Sequence, residues 1–140
     1  AGYWARSEKP RIKVVQLSEA SRLTVRTVWE QYFRPFHDLH LLVILSQDHS
    51  PHAVFTRGDY NHLLENQTTS LDTALSIHWH DKAKGLATHP SSTHMDVIIK
   101  YFNDTGREEA VIIENTVSHK YEGVVDRGDE TSYLLMKQGL

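Results

Sequence analysis

The sequence repeats itself at half its length, and this repeat constrains the fold more than any other feature. An Arg-Gly-Asp triplet begins at Arg57 and again at Arg127, half of the 140-residue chain further on. Internal repeats identify architectures built from copies of one unit. The sequence therefore predicts two similar modules packed face to face, with any cleft between them present twice. The same offset relates His49 to His119, Val43 to Ile113, Val54 to Val124, and Leu64 to Leu134.

The composition is that of a soluble globular protein, with 39% hydrophobic and 24% charged residues. The formal net charge is −3 and the basic residues are dispersed, which argues against a nucleic-acid binder. The absence of cysteine excludes disulfides, thiolate metal sites and cysteine nucleophiles, and it fits a reducing, cytoplasmic location. No apolar run approaches the roughly 20 residues that span a bilayer, so we expect no membrane contact.

Hydrophobic periodicity and turn residues predict the same order of elements in both halves. The first half has a strand, a helix, two strands and a short helix, predicted at residues 11–17, 24–33, 41–46, 53–56 and 59–65. The second half has a helix, two strands and a helix, predicted at residues 93–102, 109–114, 121–125 and 130–137. A leading strand is expected in the second half also. Residues 70–79 are compatible with helix or strand.

Each half has a short motif between its last strand and its last helix. In the first half it consists of residues 53–59, Ala-Val-Phe-Thr-Arg-Gly-Asp, and in the second of residues 123–129, Gly-Val-Val-Asp-Arg-Gly-Asp. This order and motif resemble the cystathionine β-synthase (CBS) domain, whose signature is Gly, an apolar residue, any residue, Thr or Ser, two residues, then Asp. Thr56 and Asp59 match the signature in the first copy. Gly123 and Asp129 match it in the second.

The resemblance implies an α/β fold of two CBS repeats, each β-α-β-β-α, packed about a pseudo-twofold axis. Such a pair, called a Bateman module, is regulatory rather than enzymatic and requires no cofactor. It commonly binds AMP, ATP or S-adenosylmethionine in clefts between the repeats, and it often dimerises. The implied domains are a weakly structured lead-in at 1–10, a first repeat at 11–69, an inter-repeat segment at 70–86 and a second repeat at 87–140.

The chemistry of the first motif suits an adenosine-containing ligand. Asp59 can accept hydrogen bonds from both ribose hydroxyls. Thr56 offers a hydroxyl to a phosphate beside the positive end of a helix, and Arg57 can supplement it as a guanidinium fork. Val54 and Phe55 are candidates for an adenine slot. The alternative is that Thr56 and Asp59 only cap the helix.

The second motif departs from the signature in a way that changes its charge. Asp126 places a carboxylate where the first copy has a hydroxyl, and a carboxylate repels phosphate. This cleft is therefore expected to hold a neutral nucleoside, a cationic adenosyl group, or nothing. The candidate ligand residues of this copy are Val124, Asp126, Arg127 and Asp129.

Two other functions remain open from the sequence. One is a structural and dimerisation module without ligand, suggested by apolar helix residues at positions 25, 28, 29, 32, 97, 98 and 101. The other is a metal-binding or nuclease domain, because His78 and His80 flank Trp79, with Tyr133 as nucleophile and Lys137 nearby. No third metal ligand follows from the spacing, so neither a metal nor a catalytic residue is assigned. The paired Arg-Gly-Asp triplets are better explained by the repeat than by integrin binding.

Overall fold

The computed structural model describes residues 4–6, 9, 11–61, 63–74 and 88–139. They fall into two compact modules, the first formed by Glu8–Gly85 and the second by Ala1–Ser7 together with Leu86–Leu140. Each module combines a three-stranded sheet with helices, which confirms the α/β prediction. Residues 4–6 of the predicted lead-in form one isolated bridge, in which Arg6 pairs with Val124 of the second module.

The first module follows the predicted order but divides its helices into short pieces. Its strands are β1 (Ile12–Gln16), β2 (Leu41–Leu45) and β3 (Pro51–Thr56). Its helices are α1 (Leu17–Ala20), α2 (Val25–Val28), α3 (Arg57–Tyr60) and α4 (Leu71–Ala74). α2 continues as a π-helix over Trp29–Phe33, and a 3₁₀ turn covers Leu63–Asn66. Of the predicted inter-repeat segment, residues 70–74 are described, and they form α4 and the position before it.

The second module has the same order with longer helices. Its strands are β4 (Thr88–Pro90), β5 (Glu109–Ile113) and β6 (Tyr121–Asp126), and its helices are α5 (Met95–Thr105) and α6 (Arg127–Lys137). The His94 side chain caps α5 by accepting the Asp96 N–H, and Gly106 ends the helix in the left-handed conformation. No helix in the described ranges has the length and hydrophobicity to cross a bilayer.

The two sheets have identical topology. In the first, β2 lies in the centre, parallel to β1 and antiparallel to β3, with Val43 between Val14 and Val54. In the second, β5 is central and Val111 lies opposite Val124. Every residue of β2 and β5 is buried, as expected for strands covered on both faces.

The hairpin loops correct one detail of the sequence alignment. The first loop spans residues 46–50 and the second spans residues 114–120, so the second is longer by two residues. The structural counterpart of Val43 is therefore Val111 and not Ile113. The offset of His49 and His119 does persist, and both occupy the left-handed region, with φ of 66° and 55°.

Each module has its own core on the helix side of its sheet. In the first module Phe33, Phe55 and Tyr60 are fully buried together. The helix residues Val25, Val28 and Ile98 have no exposed surface, because each packs in the core of its own module. These three therefore provide no surface for a dimer, and that part of the reasoning from sequence is wrong. The homodimer itself stays a prediction.

Candidate functional site

The first motif lies where β3 passes directly into α3. Thr56 is the last residue of β3, is half-buried and pairs with Leu41 of the central strand. The Arg57 N–H donates to the carbonyl of His40, and the Arg127 N–H donates to Glu108 at the same point of the second module. This shared bond fixes the strand-to-helix junction in both copies.

The helix after the first motif is shorter than predicted. α3 ends at Tyr60, whereas the sequence predicts a helix to residue 65. Tyr60 turns into the core, where its hydroxyl donates to the Val25 carbonyl at 2.7 Å. A helix of one turn aligns few peptide dipoles and therefore offers an anion little stabilisation. Phosphate binding at this motif would depend on side chains such as Thr56. The Asp59 backbone is the third position of α3, and its side chain lies outside the described part of the structure.

Arg57 holds the loop between the π-helix and β2. Its Nη2 donates to the carbonyls of Phe33 at 3.0 Å and Phe36 at 2.7 Å, and its Nε donates to the carbonyl of Leu39 at 3.0 Å. The guanidinium also lies over Trp29, 5.5 Å from the ring centroid. A phosphate would have to replace some of these bonds. Arg57 therefore has a structural role in this arrangement, and its role as a phosphate fork stays a prediction.

Val54 and Phe55 occupy opposite faces of β3, as alternate residues of a strand must. Phe55 lies in the helix-side core, with its ring 5.6 Å from Tyr60 in an edge-to-face arrangement. Val54 is also buried but points away from this core. The side chains of Val54 and Phe55 therefore cannot both face one ligand, and the contribution of either residue to an adenine slot stays a prediction. Val124 is the fully buried counterpart of Val54.

The second motif forms a reciprocal cap at the start of α6. The Asp129 N–H donates to Asp126 Oδ1 at 3.0 Å, and the Asp126 N–H donates to Asp129 Oδ2 at 2.9 Å. A Cβ on Gly128 would lie 3.0 Å from Asp126 Oδ1, so glycine makes room for this carboxylate. The arrangement is a capping box, in which one carboxylate accepts a helix N–H and the other accepts the N–H of the N-cap residue. It is the capping alternative that the sequence left open, realised in the second copy.

Arg127 differs from Arg57 in its partners. Its Nη1 donates to Asn103 Oδ1 at 3.1 Å and to Glu130 Oε2 at 3.0 Å, and its guanidinium lies over Phe102. These partners are side chains on the helices of the second module rather than loop carbonyls. The arginine of the motif therefore binds a loop in the first module, where it is Arg57, and connects two helices in the second, where it is Arg127.

We expect Asp126→Ala to destabilise the second module by about 0.5–2 kcal/mol, the usual effect of losing a helix cap. Asp126→Thr should cost much less, because threonine also accepts an N–H at this position. Urea unfolding of the two variants measures the difference. Equal losses for alanine and threonine would show that the capping box does not stabilise α6.

The residues of the metal or nuclease alternative are only partly described. His78, Trp79 and His80 lie outside the described residues, so that hypothesis is untested there. Tyr133 donates its hydroxyl to Asp96 at 3.2 Å, and the Lys137 amine lies 3.8 Å from the same carboxylate. Within the described part, these contacts join α5 to α6.

Solved structures with the same architecture cover nearly the whole chain. The CBS domains of a transcriptional regulator from Streptococcus pneumoniae align with a TM-score of 0.63 and 16% identity, over 94% of this chain and 95% of that one. The CBS domain pair of protein MJ0100, solved with 5′-methylthioadenosine and S-adenosyl-L-methionine, aligns with a TM-score of 0.62 and 12% identity, over 97% and 95%. The cytosolic domain of the Mg²⁺ channel MgtE, solved with ATP, aligns with a TM-score of 0.63 and 12% identity, over 89% of this chain and 46% of that one.

The chain therefore has the fold of a tandem CBS domain pair. No family model and no curated protein matches its sequence.

Proposed function

We propose that the chain is a regulatory module that binds an adenosine-containing ligand, namely AMP, ATP or S-adenosylmethionine, at its first motif. Asp59 accepts the ribose hydroxyls, and Thr56 donates its hydroxyl to the group attached at the 5′ position. No catalytic step is assigned to the chain. Binding would instead act on a protein or domain that the module controls.

The observation that carries the proposal is the position of the motif within the fold. Both copies lie at the passage from the third strand into the following helix, and both first helical N–H groups bond to the residue before the central strand. Two of the similar structures were solved with adenosyl compounds, S-adenosyl-L-methionine with 5′-methylthioadenosine in one and ATP in the other. This combination supports the ligand class without selecting one member of it.

The two motifs should not bind equally. The Asp126 carboxylate accepts the Asp129 N–H of α6, and the Asp129 carboxylate accepts the N–H of Asp126, the residue before the helix. A phosphate approaching that helix would meet two negative charges. The first motif has the neutral hydroxyl of Thr56 at the equivalent position. We expect one nucleotide per chain, bound at the first motif. The capping box also favours a second candidate function for the second module, which is purely structural.

The direct test is calorimetry with AMP, ATP and S-adenosylmethionine on the parent and on Asp59→Ala. Loss of charge-assisted hydrogen bonds worth about 1.5–3 kcal/mol should weaken binding by roughly tenfold to a hundredfold. Asp59→Asn is the matched control, because it keeps the shape and removes the charge. Absence of heat and of a thermal shift with all three ligands would leave the structural function as the better one.

Asp126→Thr tests the asymmetry separately. It should add a second phosphate-binding site of low affinity, and the gain should shrink as salt rises, because screening weakens the repulsion that the parent carboxylate exerts. Two equal sites in the parent would contradict the asymmetry while leaving adenosyl binding intact.

We also propose a cytoplasmic homodimer. Apolar side chains remain exposed on the two helices of the second module, including Val97 at 53% and Met136 at 59% exposure. Light scattering at micromolar concentration measures the mass. A monomer at that concentration would count against the dimer and would not bear on ligand binding.

A further inference from the structure

The edge of β6 is paired with a segment from the far end of the sequence. We call residues 4–6, which are Trp4, Ala5 and Arg6, the strap. Arg6 lies antiparallel to Val124, with the Val124 N–H donating to the Arg6 carbonyl at 3.0 Å and the Arg6 N–H donating back at 3.5 Å. The strap thus adds one residue pair to the sheet of the second module.

Gly123 is the residue that allows the strap to lie there. A Cβ at this position would lie 2.5 Å from the Arg6 carbonyl oxygen and 2.7 Å from the Arg6 nitrogen, distances that real Cβ atoms do not adopt. Ala53 stands at the same place in the first module, opposite Ile44 as Gly123 is opposite Ile112. Its methyl group would block an equivalent approach to β3. Gly123 of the second motif is therefore explained by the close approach of the strap, independently of any ligand.

The side chains of the strap complete the core of the second module. Trp4 and Ala5 pack against the buried cluster that contains Ile98 and Phe102, and the Trp4 ring lies edge-on to Tyr133 at 6.1 Å. The first module fills its core from within, with the fourth residue of α3, Tyr60. The fourth residue of α6 is Glu130, which pairs with Arg127 instead. The second module therefore takes an aromatic side chain from outside its own continuous stretch.

We propose that the groove between the β6 edge and Tyr133 is an exchangeable strand-docking site, which takes the strap of a second copy of the chain when its own strap leaves. The segment that fits this groove carries an indole, here Trp4, two residues before the residue that pairs with Val124, here Arg6. A second copy presents the same indole and the same backbone groups, so it can make every contact made within the chain. The strap forms only an isolated bridge with β6, and Trp4 and Ala5 are partly buried rather than fully buried. Segments at the edge of a sheet open more readily than the core. The inference does not depend on the proposed ligand.

Two substitutions separate the groove from the strap. Trp4→Ala weakens the strap and leaves the groove intact, whereas Gly123→Ala blocks the groove and leaves the strap intact. A fluorescent peptide of residues 1–9 should bind full-length Trp4→Ala at least tenfold more tightly than the parent, whose own strap competes. Adding Gly123→Ala to Trp4→Ala should abolish binding, and a peptide without the indole should not bind. Equal binding with and without Gly123→Ala, or no binding to Trp4→Ala, would overturn the proposal.

Exchange between copies has its own measurement. Energy transfer between differently labelled chains should rise when Gly123→Ala, the donor of a free strap, is mixed with Trp4→Ala, the acceptor. It should rise less when either variant is mixed with itself, and Ala53→Gly in place of Gly123→Ala should give no such gain.

Amide exchange at Val124 should be at least tenfold faster in Gly123→Ala than in Ala53→Gly. If Gly123→Ala does not fold, Arg6→Pro removes the strap N–H and must speed the same exchange. If energy transfer is no greater for the mixed pair than for each variant mixed with itself, exchange between copies is contradicted.

Discussion

Replacing Tyr60 by alanine is expected to destabilise the first module by about 3–5 kcal/mol, the range for removing a buried aromatic ring. The ring contacts Phe33 at 5.0 Å, Phe55 at 5.6 Å and Trp29 at 6.1 Å between centroids. Its hydroxyl is the donor to the Val25 carbonyl, so alanine leaves both a cavity and a buried acceptor that has lost this bond. Urea unfolding followed by circular dichroism measures the change. A loss below 1 kcal/mol would mean that the aromatic cluster does not depend on Tyr60.

Tyr60→Phe is the matched control, and comparing it with the parent also tests how the stability of the parent depends on pH. It keeps the ring and should cost about 1 kcal/mol at neutral pH through the lost hydrogen bond. Burial raises the pKa of Tyr60 above its ordinary value of about 10. Above that pH the unfolded chain releases the phenolic proton while the folded chain retains it, so the parent loses stability as pH rises. The phenylalanine variant lacks this loss, and the two stability curves should converge above about pH 10. Parallel curves to pH 11 would show that Tyr60 is not protected from ionisation.

The second large effect is expected at Arg57. Arg57→Ala removes a guanidinium that bonds to several loop carbonyls and lies over two aromatic rings, and it should cost about 2–3 kcal/mol. Arg57→Lys should recover little, because an ammonium group cannot reproduce the planar fork. Thermal unfolding of both variants measures the loss.

Arg127→Ala is the internal control for Arg57. It occupies the same motif position but bonds to side chains near the surface of the second module, so its loss should cost only about 0.5–1 kcal/mol. Equal costs at the two positions would mean that the loop carbonyls add nothing to the stability that Arg57 provides. If the Arg57 variants lose more affinity for ATP than for S-adenosylmethionine, each relative to the parent, that result would support the predicted phosphate role.

The fold was largely predictable because both halves show the same periodicity between the same turn residues. The run at 41–45 could be identified as a strand buried on both faces from its continuous apolar character, whereas its counterpart at 109–113, which begins with Glu109, could be identified only as a strand. The correspondence between residues of the two halves could not be predicted in the same way, because matching Val43 with Ile113 assumes hairpin loops of equal length. A two-residue insertion in a solvent-exposed turn has little energetic cost and leaves no mark on the apolar pattern.

The candidate site was predictable in position but not in the roles of its residues. The motif itself located the strand-to-helix junctions, and the difference in ligand binding expected from Asp126 stays a prediction. The contacts of Arg57 depend on carbonyls around residue 36, and those of Trp4 depend on Tyr133; neither partner is near in sequence. Such contacts follow from tertiary packing, which local periodicity does not encode. The strand alternation that places the side chains of Val54 and Phe55 on opposite faces, by contrast, follows from the sequence itself.

Because the strap belongs to the second module, that module is completed by residues that lie on both sides of the first module in the sequence. The first module can fold as soon as its own continuous stretch has left the ribosome. The Trp4 indole, however, has no groove until β6 and α6 exist, so it must wait until both elements have been synthesised. Because docking the strap closes a long loop, we expect it to come late in folding. Until that step, the indole and the vacant groove of every nascent chain are open to their counterparts on neighbouring chains.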